Sequence, residues 1–213
     1  MKKISSLLLV FVALLFVVAC DKKPQNGDNG GKGGNNQDEL VVDQPLKEEY
    51  KDLLKGKKLY LTTAGQADLN IVENILIAAG LAETDYESKA LLKAEEVETG
   101  SAVVLVVGAS GKGLGDAGTD VQKEVARAEA FGAKQTSGDI TLIVVHVGGE
   151  GRTGAQSDPI ITKAVPLAKM ALVVDTKTQN AVFTNAVGSS SVELLFFSRA
   201  TTLVPPFKTL LGL

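Results

Sequence analysis

The chain has 213 residues, 22 basic and 25 acidic, with one histidine, one cysteine and no tryptophan. A net charge of −3 recruits neither nucleic acid nor anionic lipid headgroups, and so few aromatics argue against a platform for stacking bases or sugars. A single cysteine excludes an intramolecular disulfide.

Lys2 and Lys3 precede an apolar run, Leu7 to Val18, that is shorter than the roughly twenty residues needed to cross a bilayer. Val17-Val18-Ala19-Cys20 then ends a leader pattern. A cysteine in that place resembles a bacterial lipobox, with Val17 where leucine is commoner. The resemblance implies acylation of Cys20 and anchoring on the extracytoplasmic face of the bacterial cell membrane, where two chains hold and one is marginal. Residues 1–20 therefore read as a lipoprotein signal peptide. Residues 21–39, rich in Gly, Asn, Asp and Lys, read as a solvated tether, and 40–213 as one domain long enough to bury a core.

Along that domain, Tyr50 to Leu54 reads as a short lead-in helix and Lys58 to Thr63 as a first strand. A turn, Ala64 to Asp68, leads to a helix capped by Asp68 or Asn70, with Ile71, Val72, Ile75, Leu76 and Ala79 on one face and Gly80 closing it. Thr84 to Lys89 fits a short edge strand, and Lys93 to Glu98 a short exposed helix. Ala102 to Val107 is apolar without alternation, as in a parallel strand buried on both faces. A glycine-rich turn follows to Gly118. Thr119, with Gln122 three residues on, caps a helix whose inner stripe is Val121, Val125 and Ala128.

Asp139 to Val147 is another unbroken apolar strand, followed by a second glycine-rich turn, Gly148 to Ser157. Asp158-Pro159 starts a helix as N-cap and N1, and Pro166 should kink it. Strands at Ala171 to Asp175 and Val192 to Phe197 and a closing helix, Leu203 to Leu211, complete the pattern. The alternation predicts an α/β three-layer sandwich with a mostly parallel sheet of about five strands, flavodoxin-like or half-Rossmann. Ligands in such sheets bind outside the carboxyl ends of the strands, so the turns after Thr63, Val107 and Val147 should share one edge.

Gly113-x-Gly115-x-x-Gly118 matches a dinucleotide fingerprint as a string, but five residues separate it from the strand and His146 stands where the ribose acid belongs. Gly111-Lys112 lacks the Ser/Thr of a P-loop, and Lys112 occupies the last glycine position of a nucleophile elbow around Ser110. No cofactor is expected. Two readings of this turn remain. Backbone N–H groups with Gly108, Ser110, Lys112, Gly113 and Gly115 cradle an anion, or the turn is merely tight with a solvated lysine.

His146 is either bonded to neighbouring backbone or a donor or base at the ligand edge; without companions it argues against zinc. Glu150 and Arg152 pair with each other, or Arg152 presents its fork to a carboxylate or phosphate. Thr62, Thr63, Gln66, Gly148 and Gly149 complete the expected ligand edge.

Three segments carry a likeness: T-T-A-G-Q-A-D (Thr62 to Asp68), G-A-S-G-K-G-L-G-D-A-G (Gly108 to Gly118), and H-V-G-G-E-G-R-T-G (His146 to Gly154) with Ser157-Asp158. Their order and wording resemble an uncharacterised bacterial family of secreted or lipid-anchored α/β proteins, the domain of unknown function 6305. The likeness implies fold and site map, not activity. Ala67 and Ala109 stand where serine is commoner in that family, and Thr153 where a second arginine is usual.

The expected function is a lipid-anchored binding protein that holds a small polar or anionic solute at the carboxyl edge for a membrane partner such as a transporter or sensor. The alternatives are an envelope hydrolase using His146 as general base, and a structural or interaction domain.

Overall fold

The run A-V-V-L-V-V forms β3 (Ala102–Val107), and all six of its residues are buried. Val103, Leu105 and Val107 enter one core cluster while Ala102, Val104 and Val106 enter another, so successive side chains supply opposite faces. The computed structural model describes residues 42–175 and 181–213; the leader, Cys20 and the tether expected over 1–39 lie outside them. Among the described residues no helix is long and apolar enough to cross a membrane.

β3 pairs in parallel with β1 (Leu59–Ala64) on one side and β4 (Thr141–His146) on the other. β2 (Tyr86–Ser88), β5 (Met170–Val174) and β6 (Glu193–Phe197) complete the sheet in the order β2-β1-β3-β4-β5-β6. The sheet has six strands rather than about five, and every pairing is parallel. The sixth is the short edge strand at Tyr86, three residues long. The order follows the flavodoxin-like pattern with one strand added, and reverses between β1 and β3.

On one face lie α1 (Leu69–Ala79) and α6 (Val204–Leu211), burying Val72, Ile75, Leu76, Phe207 and Leu210. The other face carries α2 (Gly111–Asp116), α3 (Val121–Thr136), α4 (Asp158–Ala164) and α5 (Ala181–Val187), whose buried anchors include Leu114, Phe131, Ile160 and Phe183. Gly80 ends α1 as expected, at φ 114, its N–H directed to Ile77 O and Leu76 O.

Several local expectations shift. The lead-in helix is a 3₁₀ turn at Glu48–Tyr50, and the helix expected at Lys93 is a 3₁₀ turn at Ala94–Glu96. Asp120, not Thr119, caps α3 by accepting from Lys123 N–H at 2.8 Å, because Thr119 donates its hydroxyl to Glu124 instead. Asp158 is the first residue of α4, its carboxylate accepting from Gly154 N–H at 2.7 Å. Pro166 ends α4 in a 3₁₀ turn, Val165–Leu167, rather than bending it.

The two sheet edges differ. At one, β2 is short and Glu87 of that strand pairs with Lys58. At the other, residues 42–50 run along β6: Asp43 N–H donates to Phe196 O at 2.8 Å, Asp43 Oδ1 accepts from Ser198 N–H at 2.9 Å, and Lys47 pairs with Glu193 at 2.7 Å.

Candidate functional site

The corners after β1, β3 and β4 meet at the carboxyl rim, on the strands flanking the reversal of order. Gln66 and Ala109 form an antiparallel bridge, and Ser110 N–H donates to Gly65 O at 3.0 Å. Ala109 N–H donates to Ser157 Oγ at 2.8 Å, tying the β3 corner to the start of α4. A Cβ on Gly65 would overlap Gly108 O, and one on Gly113 would overlap Gln66 O. These glycines let one corner lie against another. The glycine stretch is no open loop, since Gly111 to Asp116 wind into α2 with Ser110 Oγ accepting from Gly113 N–H at 3.2 Å.

Several polar side chains expected at a ligand instead hold this packing together. Thr62 Oγ1 donates to Ala90 O at 3.1 Å and accepts from Arg127, while Thr63 Oγ1 donates to Ala67 O at 3.1 Å. The Gln66 amide donates to Glu124 at 3.1 Å. His146 is fully buried, with Nδ1 2.8 Å from Val107 O and Nε2 3.1 Å from Gly149 O. Its ring also packs tilted on Phe183, centroids 4.9 Å apart. Of the two readings of His146, the structure matches the backbone-bonded one.

Beneath the β1 corner lies a buried ion pair that none of the sequence motifs includes. Glu124 and Arg127 of α3 meet at 2.5 Å, with side chains 1% and 11% exposed. Glu124 also accepts Gly65 N–H at 2.8 Å and the Thr119 hydroxyl at 3.0 Å, and Arg127 reaches Leu92 O at 3.0 Å and Thr63 O. Burial alone pushes the Glu124 carboxyl up; Arg127 and the Gly65 N–H outweigh it and hold the group below its ordinary value. The readable signal was a Glu–Arg pair three apart, with Glu124 inside an otherwise apolar stripe.

Arg152 is the side chain that joins the corners at the surface. Its stem crosses Gly108 and Gly148; a Cβ on Gly108 would stand 3.3 Å from Arg152 Cβ, and one on Gly148 would overlap the stem outright. Its Nε pairs with Asp68, not Glu150, at 3.3 Å. The β1 corner aims Asp68 there from a left-handed backbone, φ 60, as Gln66 also has at φ 59. Arg152 is 36% exposed, and its Nη atoms have no partner among the described residues. Lys112, exposed on α2 just past the β3 corner, makes no ion pair among those residues.

Gly148, Gly149 and Glu150 line a neighbouring hollow of about 270 Å³ with Asp175 and Ser198. Gly115 instead lines a larger cleft between α2, α3 and α4.

An open parallel sheet with helices on both faces, and corners gathered where the strand order reverses, defines a flavodoxin-like α/β domain. Residues 56–211 match the family described as Domain of unknown function (DUF6305), and the chain belongs to that family. No curated protein and no solved structure matches the chain significantly.

Proposed function

We propose that the chain is a lipid-anchored extracytoplasmic binding protein that holds a small anionic or polar solute at the carboxyl rim, for a membrane partner such as a transporter or sensor. The observation that carries the reading is Arg152, its stem laid across the corners and the outer edge of its guanidinium unengaged among the described residues. Such a fork takes a carboxylate or phosphate through two parallel bonds. Asp68 holds the Nε edge and so orients the fork, and Lys112 supplies a second cation at the same rim. The burial of His146 weighs against a hydrolase that uses it as base.

Anchoring rests on Cys20 after its apolar leader. Calorimetric titration of the full chain with inorganic phosphate, acetate and succinate tests the binding. Saturable heat with one of them, lost in Arg152→Ala, is expected; a flat response to all three overturns the reading. Release from the membrane fraction in Cys20→Ser tests the anchor, and retention there would overturn it.

A further inference from the structure

We propose that the cleft between α2 and the amino ends of α3 and α4 is a separate binding site for a small uncharged molecule with an aliphatic body and an amide- or hydroxyl-bearing head. The cleft is an open one of about 650 Å³, within the volume range of small-molecule sites. Its apolar lining is Leu114, Val121, Val125 and Pro159. Val121 and Val125 belong to the expected inner stripe of α3, yet they are only half-buried. The fully covered face of that helix runs instead through Glu124, Ala128 and Phe131. The two valines pack against the core with one side and turn the other to the cleft, beside the buried Leu114.

The polar lining settles the class of head group. Gln122 and Gln156 both border the cleft, and neither carboxamide has a partner among the described residues. Gly111 lets the Gln156 amide lie close over α2: a Cβ there would stand 3.3 Å from its oxygen. Each carboxamide offers two donors and an acceptor, so the pair matches a neutral head that both gives and takes hydrogen bonds. Asp120 is the one ionisable liner. Its carboxylate already caps α3 through Lys123 N–H and pairs with the Lys123 ammonium at 3.2 Å. It disfavours an anion, and Lys123 already answers its charge, so a cation gains little. Neither Arg152 nor Lys112 lines the cleft, so this site and the anion rim share no charged side chain.

The test is a titration of the isotope-labelled full chain, followed by NMR, with three probes of one body: N-acetyl-leucinamide, N-acetyl-leucinate and leucinamide. The neutral probe should move the side-chain amides of Gln122 and Gln156 and the methyls of Val121 and Val125 saturably. It should bind at least tenfold more tightly than the anion. Gly115→Leu should abolish these shifts, because a Cβ at Gly115 meets nothing within 4 Å and the added side chain occupies the cleft. Gln156→Ala, at an exposed position, should weaken the neutral probe several-fold. Absence of saturable shifts with all three probes, preference for the anion, or shifts that survive Gly115→Leu would each overturn the proposal. So would protein-concentration-dependent broadening of the same resonances without probe, which would mark the cleft as a contact between copies.

Discussion

Glu124 accepts the backbone N–H of Gly65 at 2.8 Å, reaching from the first turns of α3 to a corner 59 residues earlier. One carboxylate thereby fixes the β1 corner, the Gln66 amide, Thr119 beside the cleft and the Arg127 guanidinium. Glu124→Ala leaves a buried arginine without its counter-charge and should cost about 3–5 kcal/mol in urea denaturation. Glu124→Gln keeps an acceptor and should cost less. The folded carboxyl titrates below its ordinary 4.5, so its stabilisation is complete above that value and is lost as pH falls through the lowered one. The stability gap between wild type and Glu124→Gln should therefore narrow below pH 4.5; a gap constant with pH would contradict the ion pair.

Gly65 and Gly115 should respond in opposite ways to alanine. At Gly65, φ is 107 and the new methyl would collide with the Gly108 carbonyl, so a loss of about 2–3 kcal/mol or more is expected. At Gly115 the methyl enters open space on a helix, where alanine is favoured by up to about 1 kcal/mol. Paired denaturation curves measure both.

Arg152 and Asp68 should act on anion affinity in opposite directions. Arg152→Ala should weaken the anion at least tenfold, since bonds to a charged group contribute about 1.5–3 kcal/mol. Arg152→Lys keeps the charge without the fork and should recover only part of that. Asp68→Asn, at a backbone asparagine tolerates, removes a negative charge beside the guanidinium and should tighten binding. Looser binding in Asp68→Asn would show that the carboxylate serves the site by holding Arg152 rather than opposing the anion by its charge.

His146→Ala should behave as a packing lesion. It deletes a ring wedged between Val107 O, Gly149 O and Phe183, for about 3 kcal/mol by calorimetric melting. Solute affinity of the folded variant should stay near wild type. A folded His146→Ala protein that had lost a measurable turnover would restore the histidine as a base.

Much of the architecture was legible before any coordinates. The unbroken runs from Ala102 and Asp139 fit strands covered on both sides, and the turns after them were expected at one edge. Helix α2 was not legible, because Gly111, Gly113 and Gly115 disfavour a helix; a serine cap and the burial of Leu114 hold it instead. Helix α5 was equally hidden, its place set by one buried residue, Phe183, against His146.

Residue order by itself determined the layered parallel class, the positions of its corners and the leader-like start, because hydrophobic period, glycine placement and cap chemistry are local properties. Tertiary structure alone decided which polar groups face inward. Thr62, Gln66 and His146 find partners on segments distant in the chain, while Thr63 closes its own turn on Ala67, and a buried donor or acceptor takes whichever neighbour folding delivers. For the same reason Arg152 drew Asp68 rather than nearby Glu150. Gly108 and Gly148 leave no room for side chains of their own where its stem lies, and its Nη atoms meet no partner among the described residues.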